Sequence, residues 1–463
     1  MSSSRPRVVV VGGGLAGLAA GLEAADRGAA VTLLERRPRL GGATWSFERK
    51  GISYDNGQHV FLRCCTAYLA FLERIGSIGD VTIQKRLSIP VLRPGRKAGT
   101  IRRTLGPAPL HLAPALLGYP HISLRARLKV LAAGRALRKL DPEDPTLDRV
   151  SFGDWLAARG QPAEAVERFW DLVVLPTVNV HAREASLKLA AKVFVTGLLT
   201  DAASADIGWA SVPLSVLHGD AGRRALEARG AEVVTRAAVS AVRSGSGQRP
   251  SVAVSGGSVE ADSVVVAVPH DVVGSMLPSG AVPFQDRLDR LGVSPIVNVH
   301  LVYDRPITNL PMFAAVGSDI QYVFDRTGAA GLDDGRQCLS VSLSAADSHL
   351  GASAPDLVKH FVAEMERLLP AAAEAVVTES MVTREPRATF RGEPGTHPLR
   401  APTECELPGV FVAGAWSDTG WPATMEGAVR SGVEAGRRAA GYALRNGDPA
   451  PETVPAAGEG ART

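Results

Sequence analysis

Val8-Val9-Val10-Val11-Gly12-Gly13-Gly14-Leu15-Ala16-Gly17 is the stretch on which the fold turns. Four β-branched residues in a row read as a strand buried on both faces, and the glycines end it at once. Leu15 to Arg27 is rich in Ala and Leu and stops at Gly28, as a helix should; Ala30 to Leu34 then gives a second strand closing on Glu35. Strand, Gly12-x-Gly14-x-x-Gly17 turn and helix within one βαβ unit form the context in which this pattern points to a dinucleotide. Gly12 allows the tight turn, Gly14 lets the backbone approach a pyrophosphate, and Gly17 lets helix and strand pack closely. The helix N-terminus at Leu15 and Ala16 offers free N–H groups to the phosphates. Glu35, with Arg36 beside it, is placed to accept hydrogen bonds from ribose hydroxyls, and an acid there disfavours a 2′-phosphate.

Working outward, 463 residues are too many for one core and predict two or three domains. Lys and Arg number 51 against 47 Asp and Glu, a net charge of only +4, which argues against a chain that coats nucleic acid. Cys64, Cys65, Cys338 and Cys405 form no CxxC pair, so neither a disulfide scaffold nor a metal site is expected, and a reducing cytoplasm fits. No signal-peptide pattern opens the chain and no apolar run reaches 18 residues, so nothing is expected to span a membrane.

The nucleotide domain is expected in three returns of the chain, 1–75, 218–275 and 401–444. The second return holds a helix at Ala221 to Arg229 and strands at Glu232 to Val234 and Val264 to Val268. The third holds a strand at Gly409 to Ala413 and a long helix from about Thr424 to Leu444. Residues 76–217 read as a largely helical, membrane-facing insertion, with helices at Val150 to Ala158 and Gln161 to Val174. Residues 276–400 read as a sheet-containing one, with strands at Val297 to Tyr303 and Cys338 to Leu343. The expected class is therefore α/β, a Rossmann-like three-layer domain with a parallel central sheet and an inserted α+β substrate domain. Residues 445–463, rich in Pro, Ala, Gly and Glu, read as a disordered tail.

A second glycine pair, Gly41-Gly42, and then Asp55-Asn56-Gly57-Gln58-His59 follow the acid, which suits a chain wrapping back over the diphosphate and ribityl of FAD rather than a simple NAD site. Near the other end, Gly414-Ala415-Trp416-Ser417-Asp418 after a strand would set a carboxylate near the ribityl. Met425-Glu426-Gly427 opens a helix whose N-terminus can stabilise negative charge on a reduced flavin. The expected FAD contacts are thus Gly12, Gly14, Leu15, Ala16, Gly17, Glu35, Arg36, Gly41, Gly42, Gly57, Gln58, His59, Val233, Gly414, Asp418, Met425 and Glu426.

These features together resemble the flavin amine oxidase and phytoene desaturase superfamily. More narrowly, Asp55 to Phe61 with Arg63 to Tyr68, and Gly420-Trp421-Pro422-Ala423-Thr424-Met425-Glu426-Gly427-Ala428 running on to Gly432, resemble the hydroxysqualene dehydroxylases of hopanoid biosynthesis. The resemblance implies reductive removal of the hydroxyl of hydroxysqualene, with hydride from reduced FAD, to give squalene. It also implies a thirty-carbon substrate that lives in the membrane, with presqualene and hydroxysqualene synthases upstream.

For that chemistry an apolar tunnel with a route from the bilayer is required. Leu105 to Tyr119, broken by prolines, runs into Leu124, Leu128 and Leu131 at helical spacing, with Arg125, Arg127, Lys129, Arg135, Arg138 and Lys139 among them. This reads either as a peripheral contact with an anionic membrane or as an ordinary amphipathic helix. His59, oriented by Asp55, is the candidate acid for the leaving oxygen, although a His there equally suits a flavin hydrogen bond. Trp421, and less directly Trp416 and Trp170, are candidates to stabilise a transient cation. Asn179 and His181 read as satisfied turn residues or as pocket lining, and Cys64-Cys65 as buried packing. No second glycine fingerprint marks a nicotinamide site, so the reductant is NADPH acting directly or a separate reductase. The competing expectations are a carotenoid-type desaturase or isomerase, an amine oxidase, disfavoured by only six Tyr, and a non-catalytic isoprenoid carrier.

Overall fold

A five-stranded, wholly parallel sheet forms from all three returns of the chain. In the computed structural model, which describes residues 5–446, its order is Glu232–Thr235, Ala30–Glu35, Arg7–Val11, Ser263–Val266 and Val410–Val412. Val8, Val10 and Val265 join the core under helix Leu15–Asp26, while Val9, Val11, Val264 and Val266 join the opposite core with Val242 and Val252. Both faces are covered, and this is why the strands read as unbroken apolar runs. The third layer is an antiparallel meander, Val239–Gly245, Gln248–Val254 and Gly257–Glu260. It falls in the interval between the strands expected at Glu232 to Val234 and Val264 to Val268, because its strands are half polar and joined by tight glycine-containing turns.

The last described helix, Met425–Asn446, lies along Leu15–Asp26. A Cβ on Gly432 would be driven into the Ala16 carbonyl oxygen, and one on Gly436 into that of Ala20. Buried Ala435, Ala439, Ala440 and Ala443 continue this small-residue seam. The helix includes residues 445 and 446, where a disordered tail was expected; the remainder of that tail, 447–463, lies outside the described residues.

A seven-stranded sheet forms the second region, in the order Val377–Thr389, Ser294–Tyr303, Gln337–Ser344, Tyr322–Asp325, Met312–Ala315, Ser88–Leu92 and Gly99–Arg102. One face packs Val297, Val299, Leu301, Leu339, Val341 and Leu343 against Leu357, Phe361 and Met365 of helix Ala354–Leu368. The opposite face presents Ile296, Asn298, His300, Ser340, Ser342 and Ser344, following the two-residue period of a strand. Two of the seven strands come from 76–217, expected to be a largely helical insertion set apart from the sheet-containing 276–400; instead, 88–102 completes the sheet of 294–389. These strands are short and half exposed, which hides them from a periodicity count. The rest of 103–199 is helical as expected and roofs the sheet. Ser123 Oγ accepts from Ala126 N at 3.2 Å to start helix Leu124–Leu137, and Ser151 Oγ accepts from Asp154 N at 2.9 Å to start Phe152–Ala157.

Candidate active site

The glycine turn is built by contacts that admit no side chain. Gly12 takes φ +105°, and a Cβ there, or on Gly17, would collide with the Ala267 or the Gly12 carbonyl oxygen. Gly14 is different: the nearest atom to its would-be Cβ is Gly42 Cα at 3.7 Å, so that side is open. Gly42, at φ +59°, crosses directly over it, and Gly41 N donates to Gly13 O at 2.8 Å. The two glycine pairs therefore face each other across the mouth of the first helix, as a chain folded over a diphosphate requires. Glu35 is buried and pre-set: its Oε2 accepts from Gly13 N at 2.7 Å and its Oε1 from Arg37 N at 2.8 Å. Arg36 is exposed at the same rim.

Arg39 was missed as a ligand candidate. Its guanidinium lies 3.8 Å from the Trp45 ring centroid and donates to Gly42 O at 3.2 Å, with no carboxylate partner among the described residues. Burial, helped by Arg37, pushes its pKa down to about 10, so it remains a cation beside the second glycine pair. A further correction concerns Val233. It pairs with Leu33 inside the sheet, whereas ligands of such sheets sit beyond the carboxyl ends of the strands. The backbone beside Glu35 is that of 236–237: Arg236 N donates to Arg37 O and Ala237 N to Glu35 O.

Asp55 does not orient His59. Its Oδ2 meets Arg326 Nη2 at 2.8 Å, and its Oδ1 accepts from Ser46 Oγ at 2.6 Å and Leu214 N at 3.0 Å. Arg326 in turn donates to the Ala210 and Val212 carbonyls, so the pair fastens the substrate sheet to segment 210–214. Burial lowers the His59 pKa, and the nearby Asp55 and Glu385 only partly restore it. A neutral imidazole is a poor proton donor at pH 7, which leaves His59 as a hydrogen-bonding group near Gly57. Gln58 reaches Ser340 Oγ at 3.1 Å, so segment 55–59 bridges the two regions.

From Gln58 and Met425 a cavity of about 860 Å³ runs between the polar face of the sheet and the helical roof. Its wall is dominated by hydrocarbon, including Leu62, Ile89, Leu116, Val173, Phe194 and Phe324, and Leu110, Arg135, Arg138 and Lys139 also line it. Among the described residues no helix is long and apolar enough to cross a membrane.

The family model for flavin-containing amine oxidoreductases matches residues 15–440. The chain belongs to that family. It is 26% identical to a hydroxysqualene dehydroxylase of Zymomonas mobilis over 92% of this chain and 97% of the relative, and 27% identical to that of Rhodopseudomonas palustris with the same coverage. It is also 26% identical to a zeta-carotene desaturase of Zea mays, over 96% of this chain and 84% of the relative. Among solved structures, wild-type putrescine oxidase bound to putrescine superposes with a TM-score of 0.71 at 20% identity, covering 96% of this chain and 99% of that one. Cyclohexylamine oxidase from Brevibacterium oxydans gives 0.72 at 18%, covering 96% and 100%. These likenesses at 20% and 18% identity carry the fold.

At the C-terminal return of this flavin-containing oxidoreductase, three of the expected site residues are corrected. Met425 opens its helix beside the cavity, leaving first-turn N–H groups facing out of the helix end. Glu426, expected to serve the flavin, is buried and committed elsewhere. It accepts from Ala67 N at 3.2 Å, Tyr68 N at 2.7 Å and Arg430 Nε at 2.6 Å, and so caps helix Thr66–Arg74. Asp418 is turned to its own loop, accepting from Gly420 N at 3.3 Å and standing 3.7 Å from His397 Nδ1. Trp421 lines the cavity, but Arg430 and Lys192 lie 5.3 and 5.5 Å from its ring centroid, so its electron-rich ring already serves two cations.

Other candidates resolve as packing. Trp416 Nε1 donates to Val268 O at 2.9 Å, Trp170 sits among Phe152, Phe169 and Phe194 at the wall of the cavity, and Asn179 is fully bonded to Ser294, Thr389 and Ala345. His181 stands 3.5 Å from Asp171 and does not line the cavity. Cys64 and Cys65, read as packing, line the cavity as free thiols.

The residues present fit a flavin dinucleotide. The open face of Gly14, the crossing of Gly42, the Arg39 cation, the pre-set Glu35 and two helix N-termini form a cradle for phosphates and ribose.

Proposed function

We propose that this chain is an FAD-dependent hydroxysqualene dehydroxylase. The observation that carries the reading is the apolar cavity, which leads from the Gln58–Met425 end to a greasy patch on the surface and so suits a long isoprenoid rather than a small amine. The matching relatives named hydroxysqualene dehydroxylase, and the strings 55–68 and 420–432, favour the alcohol substrate. FAD when bound would supply hydride. The chain's own part is to align the substrate in the cavity, exclude water with its leucine and phenylalanine wall, and hold the dinucleotide through its glycine pairs, Glu35 and Arg39.

Peripheral membrane contact belongs to the same reading. Leu105 is 78% exposed and Leu110 66%, and Leu117, Leu124 and Leu128 are exposed beside them. Leu110 also lines the cavity, so the patch borders the entrance. Arg127 and Lys129 donate to the carbonyls of Leu117 and Gly160, whereas Arg135, Arg138 and Lys139 line the cavity with no carboxylate partner among the described residues. The cationic rim of the entrance is therefore assigned to 135–139, with anionic lipid as its partner.

An anaerobic single turnover tests the activity: chemically reduced protein is mixed with hydroxysqualene in detergent while flavin absorbance is followed and the product extracted. Return of the oxidised band with squalene is the expected result. A flavin that stays reduced, while oxidised protein is bleached by a polyene precursor, would replace this reading with the desaturase that the zeta-carotene relatives favour.

A further inference from the structure

We propose that Lys192 donates the proton that converts the substrate hydroxyl to water; the inference rests on the dehydroxylation above. Few titratable side chains line the cavity, and most are committed. Glu426 caps a helix and pairs with Arg430. Tyr322 donates to Leu172 O at 2.7 Å, and burial pushes its pKa upward. Cys65 is likewise pushed up, by the hydrogen bond its thiol donates to Cys64 and by burial, and that bond lowers the Cys64 pKa and ties the two thiols to each other. Arg135 and Arg138 do not release protons at working pH, and Lys139 is exposed at the rim. Lys192 remains.

Helix Leu187–Phe194 aims it. Lys188, one turn earlier, is buried and donates to Pro142 O at 2.9 Å, which ties this face of the helix to segment 141–144. Lys192 Nζ then meets Glu143 Oε1 at 2.7 Å; the lysine side chain is 14% exposed and the carboxylate 64%. The ammonium lies 5.5 Å from the Trp421 ring centroid, and a Cβ on Gly420 would stand 3.2 Å from Glu143 Oε2. A cation set in a hydrocarbon wall, beside the loop that leads into helix Met425–Asn446 and wired to solvent through an exposed carboxylate, has a use for a hydroxyl and none for a polyene. In the step, an Nζ proton passes to the hydroxyl oxygen as the C–O bond breaks and water leaves. The vacated carbon would take a hydride, with its electron pair, supplied by reduced flavin when that group is bound, and the neutral amine regains a proton from solvent by way of Glu143. Alcohol, one proton and reduced flavin thus become hydrocarbon, water and oxidised flavin.

The test compares flavin-loaded wild type, Lys192→Arg and Lys192→Met. In anaerobic single turnovers with hydroxysqualene both variants should reoxidise at least about 100-fold more slowly, the usual contribution of a positioned acid. Ethylammonium should rescue Lys192→Met in proportion to its concentration and leave Lys192→Arg slow. A second readout needs no turnover. Oxidised protein cannot give hydride, so flavin absorbance shifts report binding alone; the preference for hydroxysqualene over squalene should disappear in Lys192→Met and persist in Lys192→Arg. Wild-type turnover rates in Lys192→Arg, or rates in Lys192→Met that ethylammonium does not change, overturn the proposal even if Lys192→Met folds poorly. Absence of squalene from the wild type itself overturns the dehydroxylase reading, and the proton donor falls with it.

Discussion

The dinucleotide half and the cavity half are held together by different means. Around the glycine turn, backbone touches backbone: Gly12, Gly17, Gly432 and Gly436 each leave no room for one carbon atom. Around the cavity, side chains such as Leu116, Val173 and Phe194 meet one another and leave a large void. The first arrangement fixes a geometry that any dinucleotide chemistry shares; the second sets a shape that decides the substrate. Close backbone approach tolerates almost no substitution, whereas a side-chain wall can be repacked at modest cost.

The largest expected effect comes from separating the two roles of the glycines. Gly17→Ala should destabilise by on the order of 4 kcal/mol, because backbone must move, and both the melting temperature and flavin content should fall. Gly14→Ala should lose flavin while melting as the stripped wild type does, since only the ligand side is filled. Equal melting losses in the two variants would break the contrast.

Glu426→Ala comes next. Two helix-capping bonds to a buried carboxylate and its ion pair with the partly exposed Arg430 go, so a loss of about 2 kcal/mol in urea unfolding is expected. Flavin release should follow unfolding rather than precede it, which distinguishes a cap from a cofactor ligand.

Acid should weaken the joint between the halves. Burial pushes His300 down to about 4 and His218 to about 3, so both stay neutral in the fold while their unfolded forms protonate below about 6.5. Stability from a depressed pKa is whole above the unfolded value and drains as pH falls toward the folded one. The unfolding free energy should therefore drop between pH 6.5 and 4, at a limiting slope of roughly 1.4 kcal/mol per pH unit for each histidine, and the melting temperature with it. His300→Gln, whose Nε2 has no partner among the described residues, should flatten that slope.

The smallest stability effect is expected at the surface. Leu110→Ser with Leu128→Ser should change the unfolding free energy by less than about 0.5 kcal/mol while weakening flotation on anionic vesicles. Undiminished flotation would sharpen the comparison by assigning lipid contact to Arg135, Arg138 and Lys139 alone.

The sequence made the first half legible because its rules are local. Val8 to Glu35 declares strand, turn, helix and acid within one βαβ unit, and the returns at 264 and 410 repeat the same apolar run. It was less legible where a residue's partner comes from far along the chain. Nothing near Glu426 announces that its carboxylate caps a helix at Ala67 and Tyr68, and nothing near Asp55 names Arg326 as its partner. Strands Ser88–Leu92 and Gly99–Arg102 are lost within a segment that reads as largely helical, because one half-buried hairpin gives too few alternations to count. Lys192 carries no local signal at all; the turn of its helix beside Glu143 makes it conspicuous.

The seam between Leu15–Asp26 and Met425–Asn446 also sets a timetable. About 400 residues separate the two helices, and at roughly 10 residues per second the first waits some 40 seconds for its mate. Until Gly432 and Gly436 arrive, the N-terminal βαβ unit is a nascent fragment with one apolar flank uncovered, a natural client for a chaperone.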